Sequence, residues 1–444
     1  MSNNNGSQQT CEDVYPNTSH GKENTDSMMN FGKWGWATII YCLFMYFNYA
    51  GWSADGMNIF TSAFAEAHGW DSAILLSMGT PAGLVGVLGT FVFGNLIMKK
   101  GARFIMVSCL VVMSLVVVWF GHVTSVLQFG IALSLLSFFS SGFGFIAPGT
   151  LLTSWFPKKK GLALGWATMG MPLATAVFVP LIAFLFGRFG IGNAANIYAA
   201  ALIVLAMIAF IFVKNNPEQI GISPDNENLS KEELDANLRE VENHVSKFTL
   251  GQLIKDKEMW LISIGFGSLW LVTVGIVVQL VPRLMEIGYS QTTAITLLSA
   301  AALCALPGSV LWGWLDMKFG TKKTGMVYGL TYIFTLLLLI FQTSNTVITF
   351  ITMIFVGMGL GGIKNLITSM IGTVYGRYDF TAANRIIIPI SIIVRTMCFV
   401  IMGIALTLTK SYTGAYAAFI GVDIFAIIII NFINPSCKGT VKVK

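Results

Sequence analysis

Two positively charged side chains, Lys364 and Arg395, lie inside apolar stretches of this 444-residue sequence. Lys364 comes ten residues before the end of the stretch 345–374, and Arg395 comes ten residues after the start of the stretch 385–409. If both stretches are helices that cross a membrane in opposite directions, a rise of about 1.5 Å per residue puts both cations roughly 15 Å deep. A charge at that depth costs about 2.5–3.5 kcal/mol on insertion scales, so it needs a partner or a polar cavity. The pair predicts an anion-binding centre.

Three acidic side chains bear on this interpretation. Asp423 lies mid-way along the stretch 413–434, where it can be a structural partner of Lys364 or Arg395, or a coupling acid; the sequence leaves open which cation it would pair with. Asp55 lies in the outer part of the first apolar stretch. It can be a gating residue, a coupling acid or a solvated residue at the end of a helix. Asp316 lies at the end of a stretch, where a coupling or gating role is expected.

Aromatic and amide side chains are expected to complete the binding cavity. Tyr46, Tyr49 and Trp52 lie close together in the first stretch, and Trp270 and Gln279 lie in the stretch 258–284. Rings with polar tips suit the wall of a partly hydrated cavity. The alternative is that these rings pack against lipid and at the membrane interface.

Patterns for other chemistry are missing from the sequence. The six cysteines show no CxxC spacing, and the four histidines lie in the amino-terminal segment or in predicted loops, so neither a metal site nor a disulfide framework is expected. Gly357, Gly359 and Gly362 spell GxGxxG, but no strand precedes them, and the sequence contains no P-loop. We therefore expect no cofactor, no nucleic-acid partner and no enzymatic activity.

The elements that must position these residues follow from composition. Hydrophobic residues make up 55% of the sequence and charged residues 11%, and the mean hydropathy is +0.72, whereas soluble domains carry about 25% charged residues. Stretches this apolar must be helical in a membrane, because hydrocarbon cannot hydrogen-bond a free backbone. The twelve predicted spans are 34–62, 72–98, 104–122, 126–154, 160–187, 191–213, 258–284, 291–317, 323–341, 345–374, 385–409 and 413–434.

The sequence therefore predicts an all-α integral membrane protein with twelve transmembrane helices in two six-helix bundles. The predicted segments are a disordered cytoplasmic tail at 1–33, bundles at 34–213 and 258–434, a cytoplasmic linker at 214–257 and a cytoplasmic tail at 435–444. The bundles look like repeats, because the pattern from Gly94 to Arg103 recurs from Gly313 to Lys322 at an offset of 219 residues.

Charge predicts the orientation. If both termini are cytoplasmic, the short inner loops hold eleven Lys and Arg residues and the outer loops hold three, which is a clear positive-inside bias. The inner set is Lys99, Lys100, Arg103, Lys158, Lys159, Lys160, Lys318, Lys322, Lys323, Arg377 and Arg385, and the outer set is Arg188, Arg283 and Lys410.

The loop from Gly94 to Arg103 resembles the signature loop of the major facilitator superfamily, with Met98 where an acid is usual. The stretch from Ser154 to Gly165, with its Trp-Phe-Pro-basic-Gly pattern, is similar to the oxalate:formate antiporter family. This resemblance implies the major facilitator fold, a central cavity and rocker-type alternating access. The positions that match the oxalate-clamping cations of that family are Ser309 and Ile392 here, so oxalate is not expected as the substrate.

The expected function is secondary active transport of an organic anion of the carboxylate type, including a bulky or aromatic acid such as a bile salt. Exchange against a counter-anion and proton symport both remain open. The protein is expected to be a monomer in the lipid bilayer of the cell membrane, with both termini cytoplasmic. The alternatives are a sensor for a small organic acid on a transporter fold and transport of a non-anionic solute.

Overall fold

The part of the chain that the structure describes consists mainly of helices, and most of these are in stretches long enough to cross a bilayer. The computed structural model describes residues 29–246, 248–343, 345–436 and 438, and this part of the chain contains helices, turns and loops but no strand. Most of the predicted amino-terminal tail, 1–28, lies outside the described residues. The first helix begins at Gly32, two residues before the predicted start of the first bundle.

Twelve spans arise once two long helical stretches are divided. Nine stretches within the described residues are long and apolar enough to cross a membrane. Two of them, Lys160–Phe212 and Thr346–Thr409, have 53 and 64 residues, which at about 1.5 Å per residue is more than twice the hydrocarbon thickness of about 30 Å. Each contains one glycine with a positive φ, Gly190 (75°) and Gly376 (69°), where the helix is broken. The helices from Gly32 to His68 form the remaining span.

We number the spans 1 to 12 in chain order. In the first half they are Gly32–Ala50 with Gly51–Asp55 and Met57–His68 (span 1), Ser72–Ser77 with Gly79–Lys100 (span 2), Ala102–Gly121 (span 3), Val126–Ser141 with Gly142–Ile146 and Ala147–Trp155 (span 4), Lys160–Thr168 with Gly170–Leu173, Ala174–Phe178 and 179–189 (span 5), and 191–212 (span 6). In the second half they are Lys257–Glu286 (span 7), Gln291–Phe319 (span 8), Thr321–Phe341 (span 9), Thr346–Leu360 with 363–375 (span 10), 377–409 (span 11) and Tyr412–Asn431 (span 12).

The backbone supports the predicted repeat. Gly101 follows span 2 with φ 80° and ψ 158°, and Gly320 follows span 8 with φ 81° and ψ 150°. These two glycines are 219 residues apart, which is the offset of the repeated pattern. A positive φ is readily adopted by glycine and strained for other residues, so both halves use the same tight reversal at the same place.

The segment between the halves packs against the ends of the spans. It contains two short 3₁₀ turns, Pro217–Ile220 and Pro224–Asn226, and the helices Lys231–Asn243 and Leu250–Lys255. We call the end of the molecule that carries this segment the linker face, and the other end the opposite face. Glu218 forms a fully buried ion pair of 2.6 Å with Arg377, which lies between spans 10 and 11. The linker is therefore tied to the second half as well as to the first.

Asp225 fixes the linker to the loop between spans 4 and 5. Its two carboxylate oxygens accept hydrogen bonds from the backbone N–H groups of Lys158 (2.9 Å) and Lys159 (2.8 Å). The residue is 1% exposed and has a positive φ of 57°. Burial raises the pKa of Asp225 to about 6, although these hydrogen bonds favour the charged form.

The raised pKa of Asp225 predicts a measurable pH dependence of stability. The folded protein holds this proton more tightly than the unfolded chain does, so the contribution of Asp225 to the free energy of unfolding falls as the pH rises from about 4 to about 6. The thermal midpoint of the wild type minus that of Asp225→Asn should therefore decrease over this interval. A difference that is constant or rises between pH 4 and pH 6 would contradict the prediction.

Candidate functional site: an aromatic cluster with two cations between the halves

The two intramembrane cations lie on aromatic rings in the interior of the molecule. The Lys364 ammonium lies 3.4 Å from the centroid of the Phe145 ring, and the Arg395 guanidinium carbon lies 4.7 Å from the centroid of the Trp270 ring. Lys364 is 5% exposed, and Arg395 is half-buried. Neither side chain is therefore spread over the lipid-facing surface.

Ring contacts join the two cations into one cluster, which we call the aromatic cluster: Tyr49, Phe145, Trp270, Lys364 and Arg395. The Phe145 ring stacks on Trp270 at 6.1 Å and packs against Tyr49 at 4.7 Å between centroids. Tyr49 also lies close enough to Arg395 to interact with it electrostatically. Spans 1 and 4 of the first half and spans 7, 10 and 11 of the second half each contribute one residue, so the cluster bridges the two halves.

Within the described ranges, neither cation of the cluster is paired with an acid. Among the described residues, no carboxylate oxygen lies within 4 Å of the charged nitrogens of Lys364 or Arg395. The alternative of an ion pair with Asp423 is not realised. Asp423 is fully buried, its oxygens have no hydrogen-bond partner in the described part of the chain, and it lies near Tyr328 and Tyr332 of span 9 instead.

Phe145 was not predicted as a site residue, and its position depends on the neighbouring Gly144. It lies on the π-helical turn Gly142–Ile146, which interrupts span 4; such turns are rare and frequent at functional sites. A Cβ atom on Gly144 would lie 2.8 Å from the backbone oxygen of Met45, so glycine is needed for span 4 to approach span 1 this closely. The Gly-Phe-Gly-Phe sequence was the signal that could have identified Phe145, because small residues mark close contacts between helices in membranes.

Lys364 is positioned by a break in span 10. The helix stops at Leu360 and resumes at Ile363, and a Cβ atom on Gly361 would lie 2.5 Å from the backbone nitrogen of Ser309 in span 8. The break therefore brings span 10 against span 8 one turn from Lys364.

The other predicted site residues lie elsewhere in the molecule. Trp52 is 2% exposed and packs in the core of the first half, with its ring 5.2 Å from Phe60 and 5.3 Å from Tyr198. Tyr46 and Gln279 are fully or almost fully buried, and the described residues give neither side chain a hydrogen-bond partner. Among the described residues, no hydrogen bond or ring contact joins these three side chains to Lys364 or Arg395, and their binding role stays a prediction.

Asp55 connects spans 1 and 5 within the first half. Its carboxylate accepts a hydrogen bond of 2.8 Å from the Thr175 hydroxyl. This contact joins two spans of the first half on the side of the opposite face. A coupling or gating role for Asp55 stays a prediction.

At the linker face the halves touch through glycines of spans 5 and 8. A Cβ atom on Gly165 would lie 2.7 Å from the backbone oxygen of Ser309 and 3.3 Å from the Cα atom of Gly313. Asp316 is 4% exposed and lies directly against Gly161, close enough to Lys160 for an electrostatic interaction. Asp316 thus lies at the contact between the halves, as a gating residue would.

A second contact between the halves lies at spans 2 and 11. The backbone of Gly94 packs against the side chain of Arg385, and the Arg385 guanidinium donates a hydrogen bond to the Asn95 side-chain oxygen. Gly94 and Gly313 are equivalent in the repeat, so both contacts use the same position of each half. Asn95 supplies the polar contact next to Met98, which replaces the usual acid of the signature loop.

The model of the Major Facilitator Superfamily matches residues 38–386, which is most of the chain. The chain belongs to the Major Facilitator Superfamily. This superfamily and its fold are those of transporters, which confirms the prediction that the chain is not an enzyme, and they make the chain a multi-pass membrane protein.

Two curated relatives match part of this major facilitator protein. The oxalate:formate antiporter of Oxalobacter formigenes is 26% identical over 182 residues, which are 40% of this chain and 38% of the antiporter. The hexose-6-phosphate:phosphate antiporter of Salmonella typhimurium is 26% identical over 197 residues, 43% of this chain and 42% of that protein. Each match therefore spans about two fifths of the relative's length.

Solved structures support the fold. The proton:xylose symporter XylE, bound to 6-bromo-6-deoxy-D-glucose, superposes with a TM-score of 0.72 at 11% identity over 93% of this chain and 97% of that chain. FucP in the outward conformation gives a TM-score of 0.68 at 13% identity over 92% and 99%. At this identity the likeness shows the fold alone, and it confirms the predicted all-α major facilitator architecture.

The contact at Gly165 predicts which substitution prevents closure of the linker face. In Gly165→Leu the side chain would overlap the backbone of span 8, and overpacking of this kind costs about 1–3 kcal/mol. Closure can be measured by disulfide cross-linking between Asn95→Cys and Arg385→Cys, which meet at the second contact between the halves, in a protein whose native cysteines are replaced. An overpacking cost of about 1.4 kcal/mol should lower this cross-linking about tenfold.

The matched control is Gly187→Leu, since no atom lies within 4 Å of a Cβ atom at that glycine of span 5. The Gly187→Leu variant should cross-link to the same extent as the protein that keeps both Gly165 and Gly187. Equal cross-linking in Gly165→Leu and Gly187→Leu would show that the closure does not depend on Gly165.

Proposed function

We propose that this protein is a secondary transporter that carries an organic anion across the cell membrane by alternating access, with the linker face in the cytoplasm. The observation that carries the proposal is the aromatic cluster, in which two cations lie on stacked rings at the boundary between the halves and have no acidic partner in the described part of the chain. Burial of an unpaired charge costs several kcal/mol, whereas a desolvated cation–π contact is worth about 2 kcal/mol. The rings therefore compensate for only part of the cost, and an anion has a large electrostatic reason to bind there.

The rings define the kind of anion. The partners of the two cations are the faces of two buried rings, Phe145 and Trp270, and aromatic surroundings of this kind favour an apolar or aromatic body on the ligand. A carboxylate on such a body would bind Arg395 or Lys364 through charge-assisted hydrogen bonds. We infer that the substrate is an organic carboxylate, including bulky acids such as a bile salt, and not a bare inorganic ion.

The contacts at the linker face support alternating access. Both contacts between the halves described above lie on the linker side of the aromatic cluster, so an anion would reach the cluster from the opposite face. Rocking of the halves about the cluster would break these contacts and open the other path. The surplus of Lys and Arg in the loops of the linker face supports its placement in the cytoplasm. Asp55, Asp316 and Asp423 remain the candidates for coupling or gating.

The first test removes each charge of the site. Lys364→Met and Arg395→Met keep an apolar side chain of similar length, so the fold should persist while uptake of the anion into proteoliposomes falls by about 100-fold, as expected for the loss of about 3 kcal/mol of charge-assisted binding. Lys323→Met, which removes an exposed cation at the linker face, is the control and should transport normally. Normal uptake by both site variants would refute the anion site.

The substrate is found by a thermal-shift panel on purified protein. The panel contains aliphatic and aromatic carboxylates, bile salts, oxalate, hexose phosphates, inorganic phosphate and neutral sugars. We expect stabilisation by an apolar or aromatic carboxylate and its loss in Lys364→Met. Stabilisation by hexose phosphates alone or by neutral sugars alone would contradict the proposed carboxylate and would make that class of compound the substrate. Binding without accumulation in proteoliposomes would indicate a sensor.

A further inference from the structure

The contact between Lys364 and Phe145 differs from the other cation–ring contact of the site because it crosses between the halves. Arg395 and Trp270 both belong to the second half, and their contact stays within it. Lys364 belongs to span 10, whereas Phe145 belongs to span 4 of the first half. The ammonium of Lys364 therefore links the two bodies that have to move relative to each other.

We propose that Phe145 couples occupancy of the site to the movement of the halves: its ring holds the Lys364 ammonium of the other half until an anion takes that ammonium over. This inference rests on the proposed function, since it assumes that an anion binds at Lys364. It makes Phe145 a positioning residue that controls exchange and not only part of the cavity wall.

The competition follows from the chemistry of the ammonium group. A ring face attracts the ammonium through its quadrupole, and a carboxylate attracts it through a full charge and hydrogen bonds, so the carboxylate is the stronger partner. When the ammonium turns towards the anion, the contact between the halves is lost and they are free to rock. Without an anion the contact persists and holds the linker face closed. Such a protein exchanges anions and resists returning empty.

The ring of Phe145 is held in place, which the proposal requires. It is 1% exposed and packs between Tyr49 of span 1 and Trp270 of span 7. The close approach at Gly144 fixes the backbone beside it. The ring cannot follow the ammonium when the lysine moves, so a displacement of Lys364 breaks the contact.

The test measures the conformation of the protein with no anion added. Glu66 in span 1 and Met285 in span 7 are exposed, and both lie near the span ends at the opposite face. Spin labels at these two positions report the distance between the halves at that face. Phe145→Leu removes the ring and keeps an apolar side chain. It should raise the ratio of the opposite-face-closed to the linker-face-closed population by about thirtyfold, the size expected for a desolvated cation–π contact.

Two control variants separate this effect from general damage to the core. Phe145→Tyr keeps a ring face and should resemble the wild type, and Phe143→Leu removes a fully buried ring from the same turn and should also leave the populations unchanged. An unchanged ratio in Phe145→Leu, or an equal shift in Phe143→Leu, would overturn the proposal.

A double variant tests the pair itself. Lys364→Met should shift the populations as Phe145→Leu does, and the double variant should shift them no further, because both changes remove the same contact. Additive shifts would overturn the proposal. These measurements need no substrate, so their failure is distinct from failure of the proposed function, which would appear as a wild-type protein that neither binds nor moves any anion of the panel.

Discussion

The structure depends on how a membrane protein keeps two positive charges in its interior when no acid of the described residues neutralises them. Lys364 and Arg395 lie on the faces of Phe145 and Trp270, which stack on each other across the boundary between the halves. Aromatic faces stabilise a cation without supplying a charge, so the site keeps a net positive potential. A carboxylate partner would have cancelled that potential, and an exposed position would have let water screen it.

The same arrangement constrains how the halves fit together. Closure at the linker face depends on glycines, because the backbones of spans 5 and 8 approach so closely at Gly165 and Gly313 that no side chain fits between them. Gly94 plays the equivalent part against Arg385 on the other side. Small residues make a contact that is close but contains few interlocking side chains, which suits surfaces that must separate and meet again. The linker adds the buried pair of Glu218 and Arg377 at the same face.

Much of the fold was predictable from the sequence, and the reasons differ from element to element. The spans followed from hydropathy, and the repeat at an offset of 219 residues reappears in the matching backbone of Gly101 and Gly320. The residues of the site were predictable where a rule of membrane chemistry applies: a charge inside a span is costly enough to identify Lys364 and Arg395 as functional candidates. It was harder to predict which aromatic rings belong to the site, because an aromatic residue in a span has the same sequence signature in a core as in a binding site. Trp52 and Trp270 illustrate this, since the first packs within one half and the second lies beneath Arg395.

The sequence by itself determined the number of spans, their alternation and the depth of the two cations, because these depend on composition and on the rise of a helix. Only the tertiary structure decided which side chains surround those cations. Phe145 reaches Lys364 because a π-helical turn changes the register of span 4, and Asp423 is excluded from the site because span 12 turns it towards span 9. Both outcomes depend on the rotation of one helix against another, which is set by packing between distant parts of the chain and leaves no local pattern in the sequence.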